Sequence, residues 1–129
     1  SSVSVSGTGQ YQTAVVTGGY IHTSSDYGVK WTRRDSSRVW KSVSVSASGQ
    51  YQTAVDESGF IYTSLDYGVT WTKVSTLDNI MSICTESNGQ YQFACSFSGT
   101  IYKSINNYYI SLYTFSHLKR PFYNHSNNN

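Results

Sequence analysis

The sequence predicts an all-β fold, and three observations carry that prediction. Apolar and polar residues alternate with the period of two that is typical of strands, as where Val3 and Val5 stand between serines. No segment shows a sustained apolar period of 3.6 residues, so helices are not expected. The chain is rich in Ser, Thr, Tyr, Gly and Val, which suit half-buried strands and polar turns.

A repeat of forty residues organises the chain. The run Gly-Gln-Tyr-Gln-Thr-Ala-Val at 9–15 returns at 49–55, and a variant of it returns at 89–95. Residues 1–40 and 41–80 are identical at 22 of 40 positions, which makes the repeat the structural unit. We therefore expect repeat 1 over 1–40, repeat 2 over 41–80, a degenerate repeat 3 over 81–115 and an irregular tail over 116–129.

Each repeat is predicted to hold four short antiparallel strands. Turns rich in Gly, Ser and Thr separate alternating runs, which is the pattern of successive β-hairpins. The predicted strands are 2–6, 11–16, 20–24 and 29–33 in repeat 1, 42–46, 51–55, 60–64 and 69–74 in repeat 2, and 81–85, 91–96, 101–105 and 110–115 in repeat 3. The stretches 33–40 and 73–80 are then expected to be links between repeats.

The turn before the fourth strand carries the same motif in repeats 1 and 2. An Asp there can accept hydrogen bonds from turn amides, and a Gly can adopt a backbone conformation that side chains disfavour. A Trp just past the turn can pack over it. Repeat 3 lacks the Asp, Gly and Trp at this place. The motif residues are Ser24, Asp26, Gly28 and Trp31 in repeat 1 and Ser64, Asp66, Gly68 and Trp71 in repeat 2.

This motif resembles the Asp-box, or BNR repeat, found in the β-propellers of sialidases, sortilin-type receptors and photosystem assembly factors. The second copy matches in full, whereas the first has Lys30 where Thr is usual. The resemblance implies that each repeat is a four-stranded propeller blade and that the Asp-box is structural, at the outer edge and away from the usual ligand face. Three blades do not close a ring. The expected resolutions are a ring shared between chains, a fragment of a longer propeller, or a self-closed β-trefoil, in that order.

The function predicted on this basis is a non-catalytic module that self-assembles into a homo-oligomer and binds a glycan or protein partner. In a propeller, the loops between second and third strands share a face with the links between repeats. Aromatic rings beside small polar groups suit sugars. For Trp40, packing between repeats is an equally good interpretation, and Tyr27 and Tyr67 are expected to be exposed as a second contact. The candidate ligand-binding residues are Trp40, Asp35, Arg38, Asp56, Asp78, Tyr27 and Tyr67.

Two rival functions remain open at this point. The first is a structural protein whose repeats build a ring, shell or filament by adding strands end to end. The second is a fragment of a glycosidase, which needs two carboxylates facing each other across a cleft. Asp56 and Glu57 are adjacent, so on a strand they would point apart. We therefore expect no enzymatic activity.

Composition excludes further classes of function. A net charge of +2 argues against nucleic-acid binding, and no apolar run approaches the length of a membrane span. The three histidines lack the spacing of metal ligands, so neither metal nor cofactor is expected. Few charges and many hydroxyls favour an extracellular or surface-exposed protein. Cys84 and Cys95 fall on neighbouring predicted strands, where both a disulfide and buried free thiols are possible.

Overall fold

The computed structural model describes residues 1–77, 79–105 and 108–114, and the regular elements of these ranges are antiparallel β-strands. Strands β1 to β7 form one sheet in chain order, and β8 to β11 form a second. The all-β, antiparallel prediction is confirmed; Asp78 and the predicted tail lie outside the described residues. The strands are β1 (Ser2–Val5), β2 (Gln12–Val15), β3 (Thr17–Ser24), β4 (Thr32–Val45), β5 (Gln52–Asp56), β6 (Phe60–Ser64), β7 (Thr72–Thr76), β8 (Ile80–Thr85), β9 (Gln92–Ser96), β10 (Thr100–Ile105) and β11 (Tyr108–Thr114).

The predicted link at 33–40 is wrong, because β4 runs through it without interruption. This strand pairs with β3 through its first half and with β5 through its second half. The extra length has a partner because β3 begins at Thr17, earlier than predicted, so that Thr17 lies opposite Val39. The fourth strand also starts later than predicted, since the amide of Val29 still donates to the Asp26 carbonyl within the turn. One strand therefore carries the chain from the first repeat into the second.

A bulge interrupts the pairing of β3 with β4. Gly19 lies opposite Arg38, but Ile21 lies opposite Arg34, so β4 holds extra residues between these two positions. Asp35 within the bulge has a φ of 50°. The Ser37 hydroxyl donates to the carbonyl of Gly18 at 3.2 Å and ties the bulge to the beginning of β3. Bulges redirect side chains locally, and this one lies where the sequence analysis placed Asp35 and Arg38.

The hydrophobic core lies between successive repeats. Val15 and Ile21 of repeat 1 share a buried cluster with side chains of repeat 2, and the equivalent Val55 and Ile61 share one with repeat 3. The inner strands add hydrogen bonds between a backbone amide and a serine of the preceding repeat, such as Val45 N to Ser4 Oγ at 3.0 Å and Thr85 N to Ser44 Oγ at 2.8 Å. The same seam is thus built twice. The other buried residues of these clusters are Trp40, at the end of repeat 1, with Val43, Ala54 and Tyr62 of repeat 2 in the first seam, and Ile80, at the end of repeat 2, with Ile83 and Ala94 of repeat 3 in the second.

Repeat 1 and repeat 3 each have one surface that would form half of such a seam but is exposed. Val3 is 68% exposed, whereas its equivalent Val43 is 5% exposed because repeat 1 covers it. Cys84 and Cys95 are free and exposed, so the expectation of buried thiols is wrong and neither forms a disulfide. Cys95 is exposed where its equivalent Val55 is buried, since no described repeat follows the third. We call the surface of repeat 1 around Val3 the backward face and that of repeat 3 around Cys95 the forward face.

Candidate functional site

The β4 bulge gathers four of the chain's side chains into one cluster, which we call the first-link cluster: Asp35, Arg38, Trp40 and Tyr62. The Arg38 Nε atom lies 3.6 Å from Asp35 Oδ2. The guanidinium carbon lies 4.7 Å from the centre of the Tyr62 ring and 5.9 Å from that of Trp40. The two rings meet edge to face with centres 5.2 Å apart. Three of these residues were predicted site residues, and Tyr62 was not.

Burial divides the cluster into a floor and an accessible part. Trp40 is fully buried and Tyr62 almost so, which leaves neither ring a face for a ligand. Trp40 therefore packs between repeats, the second of the two interpretations of its sequence position. The Arg38 side chain is 32% exposed and that of Asp35 19% exposed. Burial raises the pKa of the Tyr62 hydroxyl above its ordinary value; the Arg38 charge opposes this rise.

Asp56 lies beside this cluster but serves the neighbouring turn. It pairs with Trp40 across β4 and β5 and is 5% exposed. Its Oδ1 atom accepts hydrogen bonds from the amides of Ser58 and Phe60, both at 3.0 Å. Such bonds are those of an Asp that shapes a turn. The carboxylate of Asp56 thus has an internal role, and a ligand at the cluster would meet Asp35 and Arg38 first.

The first half of β4 and the turn before it are strongly basic. Five of the nine Lys and Arg residues fall within 30–41, and Asp35 is the single acidic residue of that stretch. Arg33 lies over the Tyr20 ring at 4.4 Å, which orients one of these cations. The sequence contained a signal for this region: none of the residues at 33–40 matches its equivalent at 73–80, although 22 positions before them match. The two repeats therefore share a scaffold and differ at this link.

The Asp-box of repeat 1 is a closed set of hydrogen bonds. Ser24 Oγ donates to Asp26 Oδ1 at 2.8 Å and accepts from the Gly28 amide at 2.9 Å. The same carboxylate oxygen accepts from the Lys30 amide at 2.9 Å. The Trp31 indole N–H donates to the Gly28 carbonyl at 3.0 Å. These hydrogen bonds thus pair the polar backbone groups of the turn with the side chains of the motif.

Repeat 2 builds the same turn with one additional bond. Ser64, Asp66, Gly68 and Trp71 repeat the four contacts at 2.8–2.9 Å. The Thr70 hydroxyl also donates to Asp66 Oδ2 at 2.6 Å, and this bond is the main reason that the pKa of Asp66 lies below its ordinary value. The pKa of Asp26 is also lowered, chiefly by the backbone amide at residue 30. Both carboxyl groups are therefore charged at neutral pH.

The two tyrosines of the Asp-box turns differ in their surroundings. Tyr27 is 64% exposed. Tyr67 reaches back to repeat 1, where its ring centre lies 4.5 Å from that of Tyr11. Both tyrosines have positive φ angles, of 61° and 62°. Their exposure agrees with the sequence-based expectation, and they lie at the opposite end of the β3–β4 hairpin from the first-link cluster.

The described ranges hold neither a helix long and apolar enough to cross a membrane nor a group of three His, Cys, Asp or Glu side chains placed to hold a metal ion.

Comparison with known proteins identifies the fold. No family model matches the sequence, and no curated protein matches it. Solved structures do match: YCF48 bound to D1 peptide has a TM-score of 0.71 at 17% identity over 85% of this chain and 39% of that chain. YCF48 from Cyanidioschyzon merolae has a TM-score of 0.73 at 19% identity over 86% of this chain and 36% of that one. The GH74 enzyme of Niastella koreensis has a TM-score of 0.68 at 18% identity, over 85% of this chain and 17% of that one.

These structures are β-propellers, and this chain spans less than two fifths of each of them. The trefoil alternative is therefore wrong, since the matched architecture stacks sheets side by side through seams like those between the repeats. At sequence identities below one fifth, these similarities establish the fold of this chain but say nothing about its partners. The chain has a β-propeller fold, as its resemblance to Asp-box proteins implies.

Proposed function

We propose that this chain is a non-catalytic Asp-box propeller module, with one blade per repeat, that binds an acidic partner at the first-link cluster. The observation that carries the proposal is the state of Arg38. Its guanidinium group is partly exposed and held over Tyr62, and within the described residues no hydrogen bond uses it. A planar donor fork fixed in this way is suited to a carboxylate or to the hydroxyls of a sugar.

The charge of the surrounding strand supports an acidic partner. Lys30, Arg33, Arg34, Arg38 and Lys41 give the stretch 30–41 a net charge of +4. An excess of positive charge near a binding site raises the association rate of an anionic partner. A glycan carrying carboxylates is the candidate that follows from the sequence, and an acidic peptide is the other class with the same charge. One of the matched propellers, YCF48, was solved with a peptide.

A catalytic role has little support at this cluster. Hydrolysis of a glycoside by two carboxylates needs both groups free to face the substrate. Asp56 is buried and accepts two backbone hydrogen bonds, and Asp35 is paired with Arg38. The arrangement favours binding.

Truncation of Arg38 tests the proposal. Binding of the chain to an immobilised hyaluronan hexasaccharide and to an immobilised hexaglutamate peptide is measured by interferometry at low salt. We expect Arg38→Ala to weaken binding of the preferred probe at least tenfold, because it removes the anchored donors. Lys73→Ala is the matched control, since Lys73 is an exposed cation at the equivalent of Arg33. Equal binding by wild type and Arg38→Ala, or no binding of either probe, would overturn the proposal.

Self-assembly is a second candidate function, and the open seam halves favour it. The forward face offers Ser82 and Cys84 where Ser42 and Ser44 accept amides of the following repeat. The backward face offers the amides around Val3, the equivalents of those donors. A second copy supplies a complementary surface, and such head-to-tail contacts close into rings when their rotation permits.

The solution mass of the chain tests self-assembly. We expect light scattering across a concentration series to give a mass above that of the monomer. Val3→Asp is expected to restore the monomer, because it buries a charge where Val43 is covered in the internal seam. Val29→Asp, at an Asp-box turn position that is 84% exposed, is the control and leaves the mass unchanged. A wild-type monomer at every concentration argues against self-assembly while leaving the binding proposal intact.

A further inference from the structure

The two Asp-box turns each border a cavity, and the two cavities have matched positions. The first Asp-box pocket has a volume of about 230 Å³ and the second about 240 Å³. Thr23, Asp26 and Thr32 line the first, and their equivalents Thr63, Asp66 and Thr72 line the second. The pockets thus share a scaffold, and any difference in chemistry comes from the other positions.

Three of those other positions change the character of the pocket. Ser25, Lys30 and Arg34 line the first pocket where Leu65, Thr70 and Val74 line the second. The first pocket therefore carries two cations, whereas the second carries none and has Leu65 and Val74 in its lining. The first two repeats differ at 18 of 40 positions, and three of these differences fall on the lining of this cavity.

The replacement of Thr by Lys30 also frees an acceptor. In the second turn the Thr70 hydroxyl binds Asp66 Oδ2 at 2.6 Å. In the first turn Asp26 Oδ1 accepts from Ser24 and from the Lys30 amide, while no described residue donates to Oδ2. Asp26 thus lines the pocket with one carboxylate oxygen that accepts no hydrogen bond from a described residue.

The cations are placed to complement that acceptor. Arg34 is anchored by its Nε atom, which donates to Thr23 Oγ1 at 3.2 Å. The rest of its guanidinium group, like the Lys30 ammonium group, makes no ion pair or hydrogen bond with any described residue. Tyr67 and Val69 from repeat 2 complete the wall of the first pocket, whereas the described lining of the second pocket comes from repeat 2 alone. Lys30, Arg34 and Asp26 together give the lining a net charge of +1.

We propose that the first Asp-box pocket binds a carboxylate that carries a neighbouring hydroxyl group, the chemistry of a uronic acid or an α-hydroxy acid. The carboxylate accepts hydrogen bonds from Lys30 and Arg34, and the hydroxyl donates to Asp26 Oδ2. Both contacts are charge-assisted, which makes them stronger than neutral hydrogen bonds. This site lies at the opposite end of the β3–β4 hairpin from the first-link cluster and is independent of it.

The internal duplication provides the test variants. The double variant Lys30→Thr with Arg34→Val gives the first pocket the residues that the second already has, so folding is expected to be preserved. Sodium glucuronate is titrated into labelled protein, and the amide resonances of residues 23–34 are followed by NMR. We expect saturable shifts in the wild type and at least tenfold weaker binding in the double variant. The reciprocal Thr70→Lys with Val74→Arg is expected to add a second site.

Two further probes define the ligand, and the readouts separate this site from the other. Acetate lacks the hydroxyl and glucose lacks the carboxylate, so each is expected to bind at least tenfold more weakly than glucuronate. The shifts of residues 23–34 report on this pocket, and the Lys30→Thr, Arg34→Val variant alters it without changing Arg38, so failure here is distinguished from failure at the first-link cluster. Absent shifts in the wild type, equal binding by the Lys30→Thr, Arg34→Val variant, or acetate binding equal to that of glucuronate would overturn the proposal. A terminal uronic acid on a glycan that shifts the same resonances identifies the ligand as the end of a chain, and a response to the free acid alone identifies a metabolite; both outcomes support the site.

Discussion

Replacing Gly49 with alanine is expected to destabilise the protein by about 2–5 kcal/mol, whereas Gly9→Ala costs about 1–2 kcal/mol. These glycines occupy equivalent positions in two repeats, and their φ angles are 84° and 81°. Alanine would therefore suffer the same strain of a left-handed backbone at both positions. At Gly49 the new Cβ would also lie 2.5 Å from Tyr11 Cδ2 and 2.7 Å from Tyr11 Cβ, whereas at Gly9 the nearest atom is 4.0 Å away.

The difference arises because the Tyr11 side chain of the preceding repeat packs against Gly49, whereas no tyrosine of a preceding repeat packs against Gly9. Rotation of the Tyr11 ring does not clear the space, since its Cβ atom is in the way as well. The repeats would have to separate at the seam. Urea denaturation measures both losses, and Gly89→Ala, which meets Tyr51, is expected to match Gly49→Ala. Equal losses for Gly9→Ala and Gly49→Ala would show that the tyrosine–glycine contact does not hold the seam.

The sequence predicted the strands of each repeat because their signals are local. Alternation and turn residues place β5 and β6 at 52–56 and 60–64, within a residue of the predicted bounds. The link at 33–40 was mistaken for a loop because its polar composition, with Asp35, Ser36 and Ser37 in sequence, is that of a turn. Its strand pairing depends on β3 reaching Thr17, which local composition does not reveal.

Three of the four residues of the candidate site were predictable from the sequence, and their roles were not. Asp35, Arg38 and Trp40 were selected for residue type and place, and they do share one cluster. Whether Trp40 faces a ligand or the core depends on the twist of β4 after its bulge, which is a tertiary property. Tyr62 was missed because it belongs to another strand. Its equivalent Tyr102 packs against the second seam, and such positions were recognisable only once the repeats were packed.

Replacing Trp40 with alanine is expected to cost about 3–5 kcal/mol of unfolding free energy, the range for removal of a buried aromatic side chain. Trp40 is fully buried and packs with Val15, Ile21 and Tyr62 in the first seam. The total free energy of unfolding of a domain of this size is about 5–15 kcal/mol, so the variant loses a large share of its stability. Chemical denaturation measures the loss.

Trp40→Phe separates the apolar and polar contributions of this residue. The indole N–H is buried and has no hydrogen-bond partner in the described part of the chain, so its removal relieves an unsatisfied donor. We therefore expect Trp40→Phe to lose much less stability than Trp40→Ala, since it keeps an aromatic ring against Tyr62. A Trp40→Ala protein with wild-type stability but no affinity for the acidic probes would reverse the assignment and make Trp40 a ligand contact. A large loss of stability that Trp40→Phe largely restores makes Trp40 the residue that joins the first two repeats.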